Sequence, residues 1–181
     1  MMQWPAARSI VLFGVRFMLF LTLLAPLWWL LIPHYGWLLV QGCGSLLKFG
    51  LGMPILAGRI DAQGILNTGS LLIFNLEGRD STMQIGLLVT NLPPFLALVL
   101  ATPRLHWKRR LGVLAAGTGV LILSHALFIV VMLRFGTQLQ AAAAIPTAVS
   151  QFLLTLPFLL WIALAHWDRT LPKKTNAQNH L

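Results

Sequence analysis

Three pairs of polar residues interrupt the apolar stretches of this 181-residue chain: Thr90 and Asn91, Ser124 and His125, and Ser150 and Gln151. Only His125 among them is ionisable, and an ionisable side chain inside an apolar run is a functional position by default. Nucleophilic catalysis needs a hydroxyl or thiol beside a base, together with donors for the developing oxyanion. Thr90 with His125 as its base is the one such pair these residues can assemble. The competing expectation for all six is interhelical hydrogen bonding, worth about 1 kcal/mol or less each. The single cysteine, Cys43, leaves no internal disulfide, CxxC redox pair or thiol-based zinc site. No carboxylate falls inside an apolar run, so an intramembrane aspartyl protease or a carboxylate proton relay has nothing to work with. Metal-ligand spacing, a phosphate-binding loop and a dinucleotide fingerprint are all missing, and neither a metal nor a cofactor is expected.

Such residues need a frame that fixes their depth. Hydrophobic residues make up 57% of the chain and charged residues 9%, with a mean hydropathy of +0.80. A soluble domain carries far more charge, so the composition is that of a polytopic membrane protein. The net charge of +9 sits in short runs beside apolar spans. That placement sets orientation across a bilayer and requires no nucleic acid. The first apolar run is too long, and lacks the small-residue cleavage site, for a signal peptide; it reads as a signal anchor.

The expected fold is mainly α: one integral membrane domain over 1–181, a helical bundle of four spans. Residues 1–33 form the anchor span, with Arg16 snorkelling to the headgroups and Trp28 and Trp29 in an interfacial belt. Residues 34–57 carry Lys48, Gln41 and several glycines and read as an interfacial or re-entrant helix. Residues 58–84 form a small hairpin on the outer face, from a turn at 67–69, a strand-prone run at 71–76 and a second turn at 77–80. Residues 85–166 hold three further spans, and 167–181 form a basic cytoplasmic tail. Pro93 and Pro94 are tolerated where a helix begins just before them, with Thr90 or Asn91 as N-cap. The resulting short helix leaves room for a recessed pocket at the outer face. Gly112, Gly117 and Gly119 allow close helix contact. The basic loop with Arg104, Lys108, Arg109 and Arg110 and the tail with Arg169, Lys173 and Lys174 are separated by two spans. Four spans with both ends cytoplasmic satisfy the charge rule; five with an external N-terminus are the alternative.

The run from Leu46 to Leu76, LLKFGLGMPILAGRIDAQGILNTGSLLIFNL, resembles the outer-face region of exosortases and archaeosortases. There a helix leads through a glycine turn into a strand-prone stretch. The order and spacing of the neighbouring segments, over roughly residues 37–165, are similar too. In that family a catalytic Cys opens the next membrane helix, an Arg comes after it, and a His opens the last conserved span. This chain offers Thr90 or Asn91, then Ser124–His125, then Ser150–Gln151 at those places, and Arg134 is the one outer-face cation near the Arg position. The resemblance therefore implies a degenerate, triad-less relative, similar to the exosortase H-associated membrane proteins. It implies a multi-pass protein of the bacterial inner membrane whose partners are the lipid bilayer, an exosortase and the transmembrane sorting helix of an exported protein. Two other readings stay open: an enzyme with an altered nucleophile, Thr90 with His125, and an unrelated small subunit of a transport or envelope assembly complex.

Overall fold

The computed structural model describes residues 4–67, 69–76, 78–103, 105–141 and 144–170. Arg104 of the basic loop and Lys173 and Lys174 of the tail lie outside the described residues. The fold is mainly helical, with one small sheet. The first helix, α1, runs unbroken from Trp4 to Ser45. Its 42 residues extend about 63 Å at 1.5 Å per residue, twice the depth of a bilayer's hydrocarbon. Residues 34–45 thus continue α1 and do not form a separate segment. Of the glycines that suggested a break, Gly36 serves contact, since the Ile60 side chain fills the space its Cβ would need, while Gly42 and Gly44 face open space within a continuous helix. The helix loosens only at Leu46–Gly50, which is π-helical, and the chain then turns at Gly52 with φ +62°.

The expected hairpin is a three-stranded antiparallel meander, β1 (Ile55–Asp61), β2 (Leu71–Leu76) and β3 (Arg79–Gln84), with β2 central. β2 coincides with the strand-prone run. Arg79 and Asp80, expected in the second turn, open β3, because Gly78 at φ +84° completes the reversal before them. The unforeseen strand is β1, whose alternation is broken by Gly58. That glycine is needed where the strand crosses α1: a Cβ there would lie 2.5 Å from Val40 Cγ1. Leu72 and Phe74 of β2 are fully buried in the same core as Leu39 and Val40. The sheet therefore rests on the second half of α1, which an otherwise marginal sheet of this size requires.

After β3 the chain enters the bundle through one turn of helix, α2 (Gly86–Val89), and a ten-residue helix, α3 (Leu92–Ala101). Leu92, Phe95, Ala97, Val99 and Ala101 are all buried. A helix apolar on every side must be enclosed, and α1, α4 (Trp107–Ala141) and α5 (Ala144–Thr170) surround it. Phe95 plugs into α4 where Gly117 leaves the room; Gly112 and Gly119 face open space and make no such contact.

At the end of the bundle away from the sheet, one cluster joins α1, α4 and α5 to the end of α3. The Phe13 ring of α1 stacks on Trp161 of α5 with centroids 5.7 Å apart. Trp161 Nε1 donates to Thr102 Oγ1 at 2.8 Å, and Arg110 Nη2 donates to the Thr102 carbonyl at 2.9 Å. Near the sheet, Tyr35, Asn91, His125 and Leu153 meet from the same four elements. The chain passes from 13 to 35, from 91 to 102, from 110 to 125 and from 153 to 161, so successive helices alternate in direction. Among the described residues, two helical stretches are long and apolar enough to cross a bilayer, Arg8–Gly50 and Trp107–Gly136; the apolar stretches Leu92–Ala101 and Gln151–Ala165 are shorter.

Candidate functional site

Each member of the polar cluster near the sheet is placed by a local feature of its helix. Asn91 occupies the position expected of an N-cap, yet its backbone is already helical and its side chain makes no capping bond. Pro93 and Pro94 remove two of the amide donors at this helix start, which leaves the carboxamide to turn inward. Its Nδ2 donates to the carbonyl of Leu153 at 3.1 Å. That carbonyl is unclaimed by its own helix because the residue four further on is Pro157, which has no N–H. In an apolar bundle, polar side chains of neighbouring helices re-satisfy backbone groups freed in this way.

The direction of the remaining bonds is then fixed. Since Nδ2 faces a carbonyl, Oδ1 of Asn91 faces His125 Nε2, 3.0 Å away, and that nitrogen carries the proton. Nδ1 is the acceptor and takes the Tyr35 hydroxyl at 2.8 Å. A single run of donors results, from Tyr35 to His125 to Asn91 to Leu153. His125 is fully buried and Asn91 nearly so. The Tyr35 ring meets the imidazole edge-on, with centroids 6.0 Å apart, and is backed by Trp28 at 5.2 Å. Trp28, expected in an interfacial belt, thus helps to aim the hydroxyl.

The other candidates lie elsewhere. Thr90, in the turn between α2 and α3, is half-buried and lines a cavity. Both ring nitrogens of His125 are engaged by Tyr35 and Asn91, so neither faces Thr90 as a base. Ser124, next to His125 but around the helix, bonds back to the Val120 carbonyl at 2.8 Å. Gln151 is exposed, and the side chain of Ser150 lies outside the described residues. Arg134 is exposed, with its guanidinium over the neighbouring Phe135 ring. The buried thiol of Cys43 points at the Ala126 carbonyl, 3.8 Å away. Among the described residues no three His, Cys, Asp or Glu side chains gather as metal ligands would.

Sequence reasoning found Asn91 and His125 but missed Tyr35 and the Leu153 carbonyl. Signals for both existed. Tyr35 is the only tyrosine of the chain, and a buried phenol needs a partner. Pro157 marks an acceptor four residues before it.

The cavity beside the cluster measures about 330 Å³ and lies between the end of β3, the α2–α3 turn, α4 and α5. Its walls are mostly apolar, with Leu88, Phe128, Met132 and Leu153 contributing. Set against known proteins, the chain matches no protein-family model, no curated protein and no solved structure.

Proposed function

We propose that this chain is a non-catalytic, exosortase-like protein that crosses the bacterial inner membrane four times and assists an exosortase with the transmembrane sorting helices of exported proteins. The alternating helices support the four-span topology. They put Arg8, Lys108, Arg109 and Arg110 at the end opposite the sheet, and clustered cations of this kind stay on the cytoplasmic side. The sheet then stands on the outer face. Large apolar side chains such as Leu23 of α1, Leu127 of α4 and Leu159 of α5 are exposed, which suits contact with lipid and with a partner's apolar helix.

The observation that carries the non-catalytic reading is the commitment of His125. A general base must present a ring nitrogen to its nucleophile, and here both nitrogens hold the bundle together. The reading is tested by deleting the protein from its host. Sorted substrates should then accumulate unprocessed, and a Thr90→Ala copy should restore processing as fully as the original. Normal processing without the protein overturns the accessory role. Failure of Thr90→Ala where Thr90→Ser succeeds would assign the chemistry to the hydroxyl and remove the non-catalytic reading.

A further inference from the structure

The cavity at the sheet end of the bundle has a mouth and a floor of different character. Leu153, at its floor, is buried, whereas Leu154 at the mouth is 58% exposed. Leu154 also belongs to the exposed apolar row of α5 that includes Phe158 and Ile162. The opening is thus continuous with the surface that hydrocarbon would solvate, while Gln84 of β3, a neutral amide, borders the cavity on its sheet side. We propose that this cavity seats one acyl chain of a membrane phospholipid, entering past Leu154 with its ester end toward Gln84.

Lining selects this occupant: the cavity opens past Leu154 onto the apolar exterior, and its walls are mostly apolar. Water needs several polar partners in a cavity, and the walls of Phe128, Met132 and Leu153 offer it few. A void left unfilled would forfeit dispersion contacts along those walls, while lipid tails are as apolar as leucine and restore them. Two of the lining residues, Met83 and Met132, are methionines, whose unbranched thioethers adapt to a ligand without fixed shape.

The inference rests on the membrane reading of the chain, and the two fail in different ways. The test reconstitutes the full chain into vesicles of phosphatidylethanolamine and phosphatidylglycerol containing a phosphatidylglycerol with a photoactivatable diazirine in one acyl chain. After irradiation, adducts are mapped by mass spectrometry. The expected result is a several-fold excess of label on Met83, Phe128 and Met132 over exposed positions such as Leu127 and Phe158. Met132→Trp, which fills the cavity, should abolish the excess, and Leu154→Trp, at the exposed mouth and easier to tolerate, should reduce it. Label spread evenly over the apolar exterior, or an excess unmoved by both folded variants, overturns the acyl-chain site alone. No label anywhere on the protein overturns the membrane reading with it. A Met132→Cys, Cys43→Ser protein that reacts readily with a charged, water-soluble maleimide in those vesicles would make the cavity aqueous and likewise reject the proposal.

Discussion

The side-chain amide of Asn91 stands in for a backbone donor that α5 lacks: its Nδ2 lies 3.1 Å from the carbonyl of Leu153, four residues before Pro157. The same substitution occurs on α1. Pro33 frees the carbonyl of Trp29, and Nδ2 of Asn67 reaches it at 3.3 Å. Two prolines inside long helices are thus each matched by an asparagine from another part of the chain. Each match gives a freed carbonyl a partner, which matters because an unsatisfied carbonyl in an apolar setting is costly.

The Asn91 bond makes a specific double-mutant prediction. Asn91→Ala strands both the Leu153 carbonyl and the Nε2 proton of His125, and should destabilise the protein by about 1–3 kcal/mol. In a Pro157→Ala background the new backbone N–H takes the Leu153 carbonyl, leaving only the His125 Nε2 proton without a partner. The Asn91→Ala penalty should then shrink by about 1 kcal/mol, the coupling expected of groups sharing one acceptor. Reversible unfolding in mixed detergent micelles measures all four corners of the cycle. Strict additivity would mean that Pro157 and Asn91 do not share that carbonyl.

Three glycines on α4 should respond differently to alanine. At Gly117 the Phe95 ring occupies the place of the new methyl, and overpacking of this kind costs roughly 1–3 kcal/mol. At Gly112 and Gly119 nothing stands in the way, so the higher helix propensity of alanine should add up to about 1 kcal/mol of stability. Equal effects at the three positions would show that Phe95 does not seat against Gly117.

These contrasts mark what could be read from the residues and what could not. The long apolar runs of α1 and α4 and the strand at 71–76 are written in hydropathy and in residues with strand preference such as Ile73 and Phe74, which are local properties. The expected small-residue contact on α4 was legible as a class, but only the position of Phe95 selects Gly117 over its neighbours. Glycines 36 and 58 look like breaks in a sequence, yet each is a site of close approach between α1 and β1. Asn91 makes the interhelical bonds its type suggested, but not the cap: the prolines that suggest a cap also withdraw the donors a cap would satisfy. Gln151 resembled a third site residue until the turn of α5 placed it outward.

Sidedness is open to labelling. In a Cys43→Ser background, a cysteine at the exposed Gln63, beside the sheet, should react with a membrane-impermeant maleimide added to whole cells. One at the exposed Lys108, at the opposite end of the bundle, should react only after the membrane is opened. The reverse pattern would turn the molecule over, and reaction at both positions in intact cells would remove the four-span topology.

Asn67 separates two contributions that usually travel together. Its backbone lies in the left-handed region at φ +60°, and its side chain holds the carbonyl freed by Pro33. Asn67→Gly keeps the backbone easy but loses the bond, whereas Asn67→Ala loses the bond and adds a left-handed penalty of about 1 kcal/mol. Stability should therefore fall in the order asparagine, glycine, alanine. Pro33→Ala gives the Trp29 carbonyl a partner within α1 and makes the side-chain bond dispensable. In that background glycine should match asparagine, while alanine keeps its backbone penalty. If glycine remained as damaging with Pro33 replaced, the amide of Asn67 would not be serving the orphaned carbonyl, and the pairing of prolines with asparagines would hold only at Asn91.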